Sequence, residues 1–295
     1  MNKKILVIGS ISIDNVTYTN TLPEAGTTVF GESFFSNIGG KGANQACASY
    51  FLGGNVSFFG AVGNDSNGDY AINFIRKQGL NAIIKRKDCS TGVATIIIDN
   101  QKAENRIVIV PGANLAISKE DIDEIDFLFN EADYLLIQLE NDIEVVKYAL
   151  MKAKEKGLIT ILNPAPYHHL DESIFPYIDY FVPNEHEMDS YTSPSLSRIE
   201  QAREILSLGV NNVIVTLGEK GSILVNKDTV INIEANKVDA VDTTGAGDSY
   251  LGALVTSLSY DNSVEDAMKF ASKASSITVT KKGAVVSLPH LEDLN

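Results

Sequence analysis

Residues Val241–Leu254 read VDTTGAGDSYLGAL. A polar turn leads into two glycines around an alanine, then an acid, then an apolar helical run. Glycines ahead of a helix expose free backbone N–H groups, and these build an anion pocket. Asp248 lies inside that pocket and Asp242 just before it, so carboxylates flank a place suited to negative charge. A second start of the same kind, GGKGANQACASYFL, occupies residues 39–52, with Lys41 and Asn44 in its first turn.

Outward from these two starts, short apolar β-rich runs recur: ILVIG (5–9), VSFFGAV (56–62), YLLIQL (134–139), LITIL (158–162), YFVP (180–183) and VIVTL (213–217). Helical patterns lie between many of them, at 43–52, 67–78, 142–155, 198–208 and 264–280. Strands alternating with helices predict an α/β fold, a mostly parallel sheet with helices on both faces. Ligands of such sheets bind outside the C-terminal ends of the strands. Two regions break the alternation. NVTYTN (15–20) with TTVFGESFFSNI (27–38), and GVATIIID (92–99) with NRIVIV (105–110), read as paired strands, the second pair turned by NQKAE (100–104). They predict a small separate sheet, built from about 14–38 and 92–110, over a single domain spanning 1–295. Such a sheet can serve as a lid or as a dimer surface.

The 295 residues carry 38 acids against 24 bases, a net charge of −14. That field disfavours nucleic acid and anionic membranes as partners. The two cysteines, Cys47 and Cys89, form neither a disulfide framework nor a metal-ligand spacing, as expected of a cytoplasmic protein. MNKKILVIGSISID has the lysines and apolar run of a signal peptide, but Gly9, Ser10 and Ser12 interrupt the run and no cleavage site follows. A buried first strand is the better reading. Residues 42–64 are uncharged, yet their Asn, Gln, Ser and Gly content argues against a membrane span.

Several mechanisms lack their motifs. In NIGGKGAN (37–44), Gly follows the Lys and Phe35 takes the first-glycine position, so there is no P-loop. GSISID (9–14) is not the dinucleotide fingerprint. The adjacent His168 and His169 point apart and make a poor metal pair. What remains is the pair of Gly-rich starts, one suited to an uncharged polyol through Asn44, Lys41 and backbone groups, the other to a phosphate.

GGKGANQA (39–46) and DTTGAGD (242–248) resemble the two signatures of the ribokinase family of carbohydrate kinases. GSISID, STGVATI (90–96), GAN (112–114), QLE (138–140), NPAP (163–166), PNEHE (183–187), TLGEKG (216–221) and VTKKGA (279–284) follow that family's order along the chain. The resemblance implies transfer of the γ-phosphoryl group of ATP to a sugar hydroxyl, with the 5-hydroxyl of D-ribose as the leading expectation. It implies an α/β domain with a β lid, and homodimers formed through the lids. By motif, the sugar would meet Ser12, Asp14, Gly40, Lys41, Asn44 and Glu140. The nucleotide would meet Asn184, Thr216, Gly218, Gly221, Gly247 and Ser272, with Glu187 helping to place Mg²⁺ through water. Gly245, Ala246 and Gly247 would form the anion hole and Asp248 would be the catalytic base. A monovalent cation, usually K⁺, would bind at Asp242, Thr244, Thr278, Lys281, Gly283 and Ser287, many through backbone carbonyls.

The chemistry is coherent without the family. Phosphoryl transfer needs positioning and charge neutralisation. Successive backbone N–H groups supply an anion hole, and an acid beside it can accept the hydroxyl's proton. Taken singly, Asp248 also fits a first-turn helix acid, Asp14 and Asp242 turn residues, Glu140 a helix start, Lys41 a solvated cap and Ser272 an ordinary helix position. One departure stands out: Ser12 occupies a position where the family typically has Asn. Serine is shorter and offers fewer hydrogen bonds, which keeps 2-deoxyribose, another sugar or a nucleoside as alternative substrates. VPGAN (110–114) also differs before its glycine. A non-catalytic sensor on the same fold would lack the base or the anion-hole glycines, and Asp248, Gly245 and Gly247 are all present. A Rossmann-type oxidoreductase would need the missing glycine fingerprint.

Overall fold

The computed structural model describes residues 2–101 and 104–294. Strand β1 (Lys4–Ile8) sends Ile5 and Val7 into one hydrophobic core and Leu6 and Ile8 into the other. This two-sided burial is why its sequence alternates nothing polar. β2 (Ser12–Thr19) and β3 (Gly31–Gly39) leave the core, and α1 (Lys41–Phe51) and β4 (Asn55–Gly63) return to it. α2 (Ser66–Gln78) and β5 (Asn81–Lys87) follow, and β6 (Gly92–Asp99) and β7 (Glu104–Val110) leave again. The middle of the chain forms α3 (Lys119–Glu124), α4 (Asp126–Glu131), β8 (Tyr134–Gln138), α5 (Ile143–Glu155), β9 (Ile159–Asn163) and β10 (Tyr180–Phe181). The remainder forms α6 (Glu185–Tyr191), α7 (Arg198–Ser207), β11 (Asn212–Thr216), β12 (Ser222–Asn226), β13 (Val230–Ile233), α8 (Ala246–Ser259) and α9 (Val264–Thr278).

The main sheet runs β13-β12-β11-β10-β9-β8-β1-β4-β5. β12 is antiparallel to both its neighbours and the other pairs are parallel. Residues of α1, α2, α8 and α9 pack on one face, and those of α3 to α7 on the other. The chain leaves β1 toward β4 and β5, then crosses back to β8 on β1's other side. Strand order therefore reverses between β1 and β8, the place where such sheets open a binding crevice.

The second sheet, β3-β2-β6-β7, stands apart. Its two antiparallel pairs are joined by a parallel β2–β6 ladder. The expected strand at 27–38 begins only at Gly31, because the Thr27 N–H and hydroxyl both donate to the Glu24 carbonyl (3.0 and 2.9 Å) and make a turn. The turn expected at 100–104 falls partly outside the described residues. Within the main sheet, β5, β12 and β13 were not expected. β5 and β13 are edge strands, whose half-exposed faces accept the polar residues of NAIIKRK and VINI.

One contact sets the approach of α1 and α8. An ideal Cβ on Gly252, mid-helix in α8, would lie 2.5 Å from Ala48 Cβ and 2.7 Å from the Ser49 nitrogen. Glycine normally weakens a helix interior. Here its missing side chain lets the two helices nearly touch. Residues 248 and 252 share a face of α8, as 45 and 49 share one of α1.

Candidate active site

α1 begins at Gly40, whose φ of 89° is left-handed and whose ideal Cβ would sit 2.9 Å from the Ser10 oxygen and the Ser12 nitrogen. Only glycine fits there. The next residue, Lys41, donates its N–H to Glu140 Oε2 (2.9 Å), and the Ser10 hydroxyl donates to the same oxygen. Ser10 follows β1 and Glu140 follows β8, so the expected sugar acid is pinned at the strand-order reversal.

The two Gly-rich starts meet. Asn44 Nδ2 donates to Asp248 Oδ2 (2.8 Å) across 204 residues of sequence, and Gln45 Nε2 donates to Asp248 Oδ1 (2.9 Å). Asp248 is buried in the first turn of α8, at the positive end of the helix dipole. Asn44 Oδ1 is buried with no hydrogen-bond partner among the described residues, an acceptor that a ligand hydroxyl would satisfy.

α8 starts from Gly245 at φ 77°. The first i→i−4 bond runs from the Ser249 N–H to the Gly245 carbonyl (2.8 Å), which leaves the earlier N–H groups for other partners. Ala246 spends its N–H on the Thr243 carbonyl (3.2 Å), so it is not free for a phosphoryl group as the sequence suggested. Gly247 fits that role better: an ideal Cβ there would meet nothing within 4 Å. Space lies directly over the helix start.

A cavity of about 210 Å³ opens at this point, lined by Lys41, Asn184, Glu187, Thr216, Gly245, Gly247 and Asp248 among others. Asn184 and Glu187 form a reciprocal cap on α6, each accepting the other's N–H at 2.8 Å. Burial raises the Glu187 carboxyl above its ordinary range, against the Asn184 N–H and Lys41. Burial pulls Lys41 the other way, but the surrounding Asp248, Glu140, Glu187 and Asp14 outweigh it and hold the ammonium above its usual value. Four carboxylates thus converge on one cation.

Asp14 is shifted as well. Burial pushes its carboxyl up to about 6, with Glu140 and Asp248 adding to the rise and the Ser12 hydroxyl opposing it. Ser12 Oγ donates to Asp14 Oδ1 (3.0 Å). Asp14 lines a second space of about 490 Å³ between the small sheet and the segments around Asp242 and Gly283. Lys282 stands over the Tyr18 ring of β2 (5.4 Å) at its border.

Asp242 accepts the Thr244 N–H through Oδ1 and the Gly283 N–H through Oδ2, both at 2.9 Å. Despite the upward push of burial, these donors and Lys282 hold its carboxyl below the usual range. Thr278 Oγ1 donates to Ser249 Oγ (2.8 Å), and Ser287 Oγ to the Ala284 carbonyl (2.7 Å). Lys281 is exposed. Donating a proton leaves a hydroxyl oxygen its lone pairs, so these bonds do not bar Thr278 or Ser287 from the ligand set of a cation.

The other nucleotide candidates separate. Thr216 lines the cavity, and Gly218 (φ 58°) has open space where a Cβ would stand. Gly221 is held to glycine by packing, since a Cβ would fall 1.9 Å from the Ile233 oxygen. Ser272 is buried on α9 beside the Glu234 carbonyl and Asn236, away from the cavity lining. Asn163, Ala165 and Thr243 line the cavity and had not been singled out. Asn163 and Ala165 belong to NPAP, directly after an apolar run, where polar strand ends gather.

The pfkB family carbohydrate kinase model matches residues 2–291. The chain belongs to the pfkB family of carbohydrate kinases. Among curated relatives of this carbohydrate kinase, a Salmonella typhi deoxyribokinase is 38% identical, covering 99% of this chain and 97% of that protein. A Staphylococcus aureus ribokinase is 35% identical, covering 100% and 99%. Among solved structures, that of Arabidopsis thaliana ribokinase complexed with ribose and ATP superposes with a TM-score of 0.92 at 28% identity, covering 100% of this chain and 98% of that one. The kinase also has the fold expected from its sequence, a mostly parallel sheet with a small second sheet. None of its described helices is long and apolar enough to cross a membrane.

Proposed function

We propose that this carbohydrate kinase transfers the γ-phosphoryl group of ATP to the 5-hydroxyl of D-ribose. The observation that carries the reading is Asp248, buried beside the open start of α8 with both carboxylate oxygens held by amides from α1. In this reading the sugar lies among Ser12, Asp14, Gly40, Lys41, Asn44 and Glu140. Asp248 takes the hydroxyl's proton as the sugar oxygen bonds to the γ-phosphorus and the bond to the ADP oxygen breaks. Gly245 and Gly247 present backbone to the transferring group, and Lys41 offsets its charge. ATP lies along Asn184, Thr216 and Gly218, and the small sheet covers the sugar as the lid of a single domain.

Among the described residues no cluster of three or more His, Cys, Asp or Glu side chains could hold a metal alone. Mg²⁺ would therefore enter on the ATP phosphates, with Glu187 facing it through water, and would supply neutralising charge. K⁺ at the Asp242 loop would add positive charge next to Gly245. The lid exposes Phe34 on one edge strand and Ile107 to Val110 on the other. Such unpaired, apolar edges fit a second copy of the chain. Light scattering that returned a single-chain mass at micromolar concentration would remove this homodimer. The free Cys47 and Cys89 fit a reducing cytoplasm.

A second reading is kept for one observation. The Ser12 hydroxyl is turned onto Asp14, so one donor at the sugar's far end is already spent. A 2-deoxyribose substrate would tolerate that, and a deoxyribokinase is among the similar proteins. The deciding experiment is a coupled ATP-consumption assay over pentoses, hexoses and nucleosides, with and without K⁺. Asp248→Ala should lower turnover by about 10²–10⁴-fold while the sugar still binds. Near-normal turnover would remove the mechanism.

A further inference from the structure

We propose that Gln45 is a positioning residue for Asp248 and that Gln138 sets the direction of its amide. The proposal rests on the reading of Asp248 as the base. Gln45 is fully buried. Its Nε2 donates to Asp248 Oδ1 (2.9 Å) and to Asn163 Oδ1 (3.1 Å), while its Oε1 accepts from Gln138 Nε2 (2.6 Å). Asn163 Nδ2 in turn donates to the Val182 carbonyl (3.0 Å).

This chain of amides runs in one direction. Reversing Gln45 would turn an oxygen onto the carboxylate and an amino group onto the Gln138 amino group, so the neighbours select one orientation. Asn44 holds the other carboxylate oxygen. A carboxylate gripped at both oxygens cannot rotate, and the lone pair facing the hydroxyl keeps its direction. The arrangement tolerates a defect. Gln138 Oε1 is buried without a hydrogen-bond partner among the described residues. It occupies that place because Gly9 has no side chain, since an ideal Cβ would stand 2.1 Å away. Buried polar atoms normally find partners, and an exception two hydrogen bonds from Asp248 marks a residue kept for its other contacts.

The test is a double-mutant cycle on the full chain with ATP, Mg²⁺ and the sugar turned over fastest in the panel. Gln45→Met keeps the length and removes the amide. It should lower kcat about 10- to 100-fold with both KM values within about twofold, because the lost interaction acts in the transition state. On an Asp248→Ala background it should change the residual kcat by less than about twofold. An equal loss on both backgrounds, or wild-type kcat in the single variant, would overturn the proposal. If Asp248→Ala itself keeps near-normal turnover, the base reading fails and takes this one with it, a distinguishable result. Should Gln45→Met not fold, Gln138→Met decides through the same cycle, with an expected loss of about three- to tenfold only when Asp248 is present.

Discussion

Replacing Asp14 with Asn should stabilise the protein at neutral pH while damaging sugar turnover. The carboxylate, on the lid's first strand, is wedged against the end of β3, with Oδ2 only 2.2 Å from where a Cβ on Gly39 would stand. Burial is the main cause of its rise from 3.8 to about 6, and the Glu140 and Asp248 charges reinforce it. The folded chain thus holds this proton more tightly than the unfolded chain. The associated stabilisation is complete below 3.8 and is lost as pH rises through about 6. A shift of about two units at ~1.4 kcal/mol each makes the charged form cost roughly 3 kcal/mol above that window. Asn keeps an oxygen for the Ser12 hydroxyl but carries its own cost of polar burial. The expected net gain is therefore about 1–3 kcal/mol near pH 7.5, shrinking toward zero near pH 4. Urea titrations at both pH values read it directly, as a midpoint shift without a change in slope. Sugar kcat/KM should fall at least about 10²-fold, because a buried hydroxyl loses a charged acceptor. An Asn variant that is less stable near pH 7.5, or equally shifted at both pH values, would refute the argument.

Two further substitutions probe the site from other sides. Gly252→Ala, which helix propensity alone would favour, should instead cost about 1–3 kcal/mol by forcing α8 off α1, and kcat should fall as Asp248 leaves its amide partners; a gain in the urea midpoint would show that the close approach is unimportant. Ser12→Asn should move the sugar ranking toward D-ribose relative to 2-deoxyribose, read as a ratio of kcat/KM values, and an unchanged ranking would show that this position does not set selectivity.

Much of the fold was legible because its signals are local. ILVIG, VSFFGAV and YLLIQL are apolar on both faces, and only a strand between two layers of helices buries such a run. The glycines at 40 and 245 announce left-handed turns into helices. What was hidden lies where context outweighs pattern. NAIIKRK and VINI were missed because an edge strand has no need of a fully apolar sequence. The mid-helix Gly252 reads as a weakness until α1 is placed against it. Ala246 was expected in the anion hole, but the turn geometry gives its N–H to Thr243.

The sequence by itself determined the central strands of the main sheet, the longer helices, the two glycine-rich helix starts and the order of polar residues after those strands, since backbone sterics and hydrophobic periodicity act over a few residues. Only the tertiary structure decided what those residues do to one another. It brings Asp248 to Asn44 and Gln45 across more than two hundred residues, ties Glu140 to Ser10 where the strand order reverses, and surrounds Lys41 with four carboxylates. Burial, charge proximity and the direction of a buried amide are properties of packing, and packing is the sum of distant contacts that no short stretch contains.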